Sequence, residues 1–232
     1  VTETADKIDG YTVTGESSKS LTIQADESKN KIIFYYTKRG DLAYVVNYLE
    51  KGTNKVLHEA KTAAGQTFDA EITASAEKIN IDGYNYESVD PETLKIKTDN
   101  SQNVINVYYT KRTDLSYTVN YLEKGTNAVL HDAKTVENVT FETEITTANE
   151  AITIDGYNYD SAEPAEKLVV GTGENVINVY YTKRTDLSYT VNYLEKDTNT
   201  VLSTPKTVTG KTFQETVAGE SEKIDITGYN YD

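Results

Sequence analysis

The chain has 232 residues, 37% of them hydrophobic, and tyrosine carries its aromatic content, with 19 Tyr against 4 Phe and no Trp. A formal net charge of −14 argues against a nucleic-acid or anionic-lipid partner, which would need a basic patch. Neither Cys nor Met occurs, which excludes disulfides, Cys-based zinc sites and thiol nucleophiles together, and no apolar run approaches the ~18 residues of a membrane span.

The chain opens at Val1 in the middle of a pattern, with no signal peptide, and is expected to be a segment of a longer protein. Gly10-Tyr11 is the first of four Gly-Tyr pairs; the others begin at Gly83, Gly156 and Gly228. The run Asp114-Leu-Ser-Tyr-Thr-Val-Asn-Tyr-Leu-Glu-Lys124 returns as Asp186 to Lys196 and, slightly altered, as Asp41 to Lys51. Tyr44, Tyr117 and Tyr189 are therefore equivalent, at spacings of 73 and 72 residues. This frame gives the rear part of a repeat (1–40), two full repeats (41–113 and 114–185) and the front of another (186–232). A permuted frame starting near the Gly-Tyr pair describes the sequence equally well.

Arg39-Gly40-Asp41 spells an integrin-type tripeptide; its counterparts read Arg112-Thr-Asp114 and Arg184-Thr-Asp186, and glycine there would also relax a joint. His58 and His131 are equivalent, but the third copy carries Ser203, so no repeat-defining catalytic or metal site is expected from them. Asp99-Asn-Ser-Gln-Asn103 lacks the acidic alternation and terminal Glu of a calcium loop and reads as solvated loop.

In the copy that starts at Asp114, Tyr117, Val119 and Tyr121 alternate with polar or outward residues and predict an opening strand. Glu123 to Asn127 supplies a turn, and Ala128 to Lys134 a second strand. Val139, Phe141 and Ile145 alternate through 139–146 and predict a third strand, and Ala148 to Ala151 a single helical turn. Ile152 and Ile154 lead into Gly156-Tyr157, and Val176 to Tyr181 is the closing strand, with Ile177, Val179 and Tyr181 on one face. The expected class is a β-rich α+β protein of small tandem sheet domains. Each has a radius of gyration of roughly 11 Å, and short stiff junctions string them into an elongated rod.

Three sets of residues are candidates for chemistry. Tyr86, Tyr159 and Tyr231 follow the turn glycines and could stack on sugar rings, whereas Tyr157 reads as a packing residue. Lys134, Asn120 and Glu123 recur in every copy that includes them and are the candidates for an intramolecular Lys–Asn isopeptide bond. Catalysis, metal binding and a cofactor are not expected.

The succession of a Tyr-x-Val-x-Tyr strand, a Lys-Gly-Thr-Asn turn, a Gly-x-x-Phe segment, an Ile-x-Gly-Tyr pair and a closing Val-Ile-Asn-Val-Tyr-Tyr strand resembles the MucBP (mucin-binding protein) repeat. The pieces lie at Tyr44 to Leu49, Gly65 to Phe68, Ile81 to Tyr84 and Val104 to Tyr109, with counterparts in later copies; Asn138 stands where Gly65 and Gly210 stand elsewhere. The resemblance spans essentially the whole chain. It implies β-grasp-like modules in tandem on a Gram-positive surface adhesin, extracellular and cell-wall attached, with mucin-like host glycoprotein or glycan as partner. A passive spacer projecting a distal binding domain is the alternative. A monomer is expected, with head-to-tail association of front and rear half-repeats as a further option.

Overall fold

In the computed structural model, which describes residues 1–232, the chain divides into two compact units, Val1–Arg112 and Thr113–Asp232. The first begins with a partial repeat of four short strands, β1 (Thr2–Thr4), β2 (Tyr11–Thr14), β3 (Ser18–Ser20) and β4 (Tyr35–Lys38), paired β1 with β3 and β2 with β4. A complete repeat follows: β5 (Leu42–Glu50), β6 (Val56–Gln66), β7 (Glu71–Thr73), β8 (Tyr84–Asp90), β9 (Thr93–Lys95) and β10 (Val104–Lys111). Its main sheet has the order β6-β5-β10-β8, with β5 and β10 parallel at the centre and both flanking pairs antiparallel; β7 and β9 form a separate ribbon.

Period-two alternation sends Leu42, Tyr44, Val46 and Tyr48 of β5 and Ile105, Val107 and Tyr109 of β10 into one buried layer. Each fully buried aliphatic side chain there contributes about 1.5–3 kcal/mol. The hairpin between β5 and β6 is set by turn chemistry: Gly52 and Asn54 take positive φ, and Asn54 N–H and Thr53 Oγ1 both donate to Glu50. The third copy keeps this turn with Asp197 at φ 70 in place of the glycine.

The second unit repeats the plan with β11 (Leu115–Glu123), β12 (Val129–Val139), β13 (Glu144–Thr146), β14 (Tyr157–Glu163), β15 (Lys167–Val169) and β16 (Val176–Lys183), in the order β12-β11-β16-β14. Leu115, Tyr117, Val119, Tyr121, Ala162, Val170, Ile177, Val179 and Tyr181 form its core. A final hairpin, β17 (Leu187–Leu194) with β18 (Val201–Lys211), completes the unit.

The opening and closing strands fall where alternation places them, but three expectations are corrected. The second strand continues to Val139, and 139–146 is not one strand. Asn138 (φ 59) and Glu142 (φ 62) are left-handed, so the chain bulges, turns, and resumes only as the short β13. Asn138 thus adopts the conformation that Gly65 and Gly210 (both φ 72) take in the other copies, which Asn tolerates better than most residues. Helix is confined to 3-10 turns of three or four residues, among them Thr147–Glu150 one position ahead of the expected turn, so the α component is absent. No helix is long and apolar enough to cross a membrane.

Within each unit successive repeats are stitched together. In the first, Phe68 N–H donates to Arg39 C=O (2.8 Å), and Arg39 is itself tied to Gly10 C=O of its own repeat (2.9 Å). Lys38 pairs with Asp69 (3.2 Å), and Thr98 Oγ1 donates to Asp9 (2.9 Å). In the second, Phe213 N–H donates to Arg184 C=O (2.8 Å), and Arg184 is likewise tied to Gly156 C=O of its own repeat (2.9 Å).

Candidate functional site

The turn glycines Gly83 and Gly156, both at φ 77, start the edge strands β8 and β14, and Tyr84 and Tyr157 N–H donate back to Ile81 and Ile154 C=O. Two residues on, the period of a strand returns the chain to the same face at Tyr86 and Tyr159. Tyr84 is buried, and Tyr157 packs edge-on against Phe213 at 5.5 Å. Tyr86 and Tyr159 stay 39% and 44% exposed.

Each exposed ring has a buried one behind it. Tyr86 meets Tyr109 edge-to-face at 6.2 Å and 81°, and Tyr159 meets Tyr181 at 6.3 Å and 84°. Tyr109 and Tyr181 are themselves immobilised. Tyr109 Oη donates to Ile79 C=O (2.9 Å) and accepts from Ile79 N–H (3.0 Å); Tyr181 Oη does the same with Ile152, at 3.0 and 2.9 Å. The ammonium of Lys78 lies 5.3 Å from the centre of the Tyr86 ring, a cation–π contact. In the repeat of Tyr159 the equivalent position is Ala151. Tyr231 is 73% exposed, lies outside any strand, and carries Lys223 over its ring at 3.6 Å. An exposed aromatic face with a hydroxyl at its edge can stack on the C–H face of a sugar and hydrogen-bond to it.

The remaining candidates are placed as follows. Arg39 grips Asp41 through Nε and Nη2, both at 2.9 Å, and Arg184 holds Asp186 in the same fork at 2.9 and 3.0 Å. The fork raises the arginine pKa and lowers the aspartate's in both pairs, the hydrogen bonds being the leading cause. Both charged ends of the Arg39-Gly40-Asp41 tripeptide are therefore turned onto each other. Lys134, Asn120 and Glu123 are not brought together. Lys134 pairs with Glu150 (2.6 Å), Asn120 donates to Asn178 (2.9 Å), and Glu123 accepts from Thr126 (2.9 Å). His58 and His131 stand edge-on to Tyr48 and Tyr121 at 5.5 Å, and no group of three His, Cys, Asp or Glu is placed to hold a metal ion. Asp99 caps the 3-10 turn Asn100–Gln102 by accepting from Ser101.

Two recurrent networks were not anticipated. Tyr44 donates to Glu77 (2.8 Å), which also pairs with Lys61 (2.6 Å); Tyr117, Glu150 and Lys134 repeat the arrangement, as do Tyr189, Glu222 and Lys206. Burial pushes the Glu77 carboxyl up, but the Lys61 and Tyr44 hydrogen bonds outweigh it and hold it below the usual range. Asn103, wholly buried, donates to Ala43 and Lys97 C=O and accepts from Lys97 N–H; Asn175 and Asn30 tie their own loops in like manner. The signal for both was in the repeat itself, as residues recurring at fixed offsets without an apolar reason to do so.

A cavity of about 510 Å³ lined by Val191, Tyr193, Ile224, Tyr229 and Tyr231 runs along β17. β17 pairs only with β18, so this is the edge that β16 covers on β11.

The family model for the MucBP domain matches residues 45–110 and 117–182. Among solved structures, a pair of streptococcal repeats described as "Streptococcal High Identity Repeats in Tandem (SHIRT) domains 3-4 from cell surface protein" is similar at 7% identity. The match covers 62% of this chain and 98% of that one, with a TM-score of 0.26. A crystal structure titled Mub-RV is similar at 16% identity, over 62% and 99% of the two chains, with a TM-score of 0.22. No curated protein sequence matches the chain.

Proposed function

The chain belongs to the MucBP domain family, and on that premise we propose that it is a tandem-repeat region of a bacterial surface adhesin that holds mucin-like host glycoprotein weakly and at many points. The observation that carries this reading is the repeated half-exposed ring, Tyr86 or Tyr159, backed by the buried Tyr109 or Tyr181. A ring held from behind offers a flat apolar face and a hydroxyl at low entropic cost. One such contact is weak, and multiplying it along a chain raises avidity without a strong site. In this reading the region is non-catalytic, extracellular and attached to the cell wall, and needs no cofactor. The strand order β6-β5-β10-β8 with its parallel centre supports the β-grasp-like description of each repeat.

The test is binding of the full chain to immobilised mucin, with a Tyr86→Ala, Tyr159→Ala double variant beside it. Binding that falls at least tenfold in the variant supports the reading. Absence of binding by the chain, persisting when further repeats are linked to it, defeats it. A passive spacer is the second reading, favoured by the backbone hydrogen bonds that stitch Phe68 to Arg39 and Phe213 to Arg184. It predicts no mucin binding and an elongated envelope in solution scattering.

A further inference from the structure

The two complete repeats differ in charge at the same exposed ring. Lys78 ends the 3-10 turn Ala74–Glu77, and its ammonium stands over Tyr86. No carboxylate pairs with it, in a chain of net charge −14 where Lys61, Lys95, Lys134 and Lys206 are each held by an acid. In the next repeat the position is Ala151, and Tyr159 has its ring backing but no cation. A second cation–ring pair follows the same pattern. Lys51 lies 4.8 Å from the Tyr108 ring and bonds only the neutral Ser88 among side chains, whereas its counterpart Lys124 is neutralised by Asp160.

We propose that the Lys78–Tyr86 site of repeat 41–113 selects an anionic saccharide, one bearing a carboxylate or a sulfate ester, while the Tyr159 site of repeat 114–185 takes a neutral one. The inference rests on the glycan reading above and adds a charge rule to it. A saccharide stacked on Tyr86 brings its substituents within reach of an ammonium already fixed over the ring, and an anionic group gains a charge-assisted hydrogen bond there. In the repeat of Tyr159 the position of Lys78 is the uncharged Ala151, so it supplies no charge to such a group. Two repeats of one chain would then read different parts of a mixed glycan surface, which widens the range of partners without a new fold.

The experiment is a titration of the full chain, carrying 13C-labelled tyrosine rings, with lactose, 3′-sialyllactose and 3′-sulfated lactose. The Tyr86 and Tyr159 signals are identified through Tyr86→Phe and Tyr159→Phe. At Tyr86 the anionic probes should bind roughly fivefold more tightly than lactose, and the margin should shrink at high salt. Tyr159 should show no preference. Lys78→Ala should remove the preference at Tyr86 and leave lactose binding, and Ala151→Lys should confer it on Tyr159. A preference for one anion alone assigns the chemistry to carboxylate or to sulfate and supports the proposal. Equal binding of all three probes at Tyr86, or a preference that survives Lys78→Ala, overturns the charge rule while the glycan reading stands. If no saccharide moves either ring, both fall together.

Discussion

The ring of Phe68 lies directly on Gly10, 58 residues earlier and in the preceding repeat, so close that a Cβ on that glycine would sit 2.4 Å from Phe68 Cδ1. Gly10 also has φ 80, and Tyr11 beside it meets Phe68 edge-on at 5.8 Å. Phe213 covers Gly156 in the second unit in the same way, at 2.5 Å. Gly10 and Gly156 thus each serve two ends at once, a left-handed turn and a seat for the next repeat's aromatic ring. Gly10→Ala and Gly156→Ala should both loosen the joint, through backbone strain and displacement of the ring. Phe68→Ala should cost about 1–3 kcal/mol because the ring is only half-buried. Faster proteolysis within 1–40, with residues 41–113 still protected, would be the signature; unchanged cleavage at 1–40 would show that the ring does not hold the joint.

Removing one oxygen from Tyr109 or Tyr181 should destabilise its repeat by about 1–3 kcal/mol. Tyr109→Phe leaves the packing of the ring intact but abandons both the N–H and C=O of Ile79, and Tyr181→Phe those of Ile152. Chemical denaturation of each single variant measures the cost, and a shift below 0.5 kcal/mol would mean that water replaces the hydroxyl.

Asn103→Ala should cost about 2–3 kcal/mol, since it leaves three backbone groups without partners in a wholly buried position. Asn103→Asp keeps the acceptor, loses two donated bonds and buries a charge, so it should be at least as damaging. The urea midpoints of the two variants against the parent chain give the comparison.

Acid should weaken the repeat 41–113 through Glu77. Its carboxyl is held below its ordinary value in the folded chain, so the stability it supplies is complete above that ordinary value and declines as pH falls through the lowered folded one. A melting-temperature profile should therefore drop below about pH 4.5. In Glu77→Gln part of that acid-dependent drop should vanish, at a cost near neutral pH of roughly 1 kcal/mol. A profile of Glu77→Gln parallel to the parent's would remove Glu77 as a cause.

Much of this architecture is legible in one dimension because it depends on local rules. The alternation of Tyr117, Val119 and Tyr121, and of Ile177, Val179 and Tyr181, dictates which side faces inward, and all six are buried. The recurrence of these runs marks off the repeats, and the Gly and Asn of the Lys-Gly-Thr-Asn turn mark a hairpin. Alternation misled at Val139, Phe141 and Ile145, because a pattern of two carries no information about the left-handed residues Asn138 and Glu142 that interrupt it. Among the tyrosines after the turn glycines, Tyr157 was legible as a packing residue and Tyr86 and Tyr159 as contact candidates, but the degree of exposure was not: Tyr84 and Tyr86 share a strand face, yet one is buried and the other open.

What the order of amino acids settled by itself is the succession of strands and turns, since pleat and handedness act between neighbours. The tertiary structure alone decided the couplings across dozens of residues: Phe68 onto Gly10, Tyr109 Oη onto Ile79, Lys134 onto Glu150 rather than beside Asn120. Such pairings depend on which distant backbone or charge comes within about 3 Å once the sheets have formed, and hydrogen bonding and desolvation, not propensity, then fix each group's role.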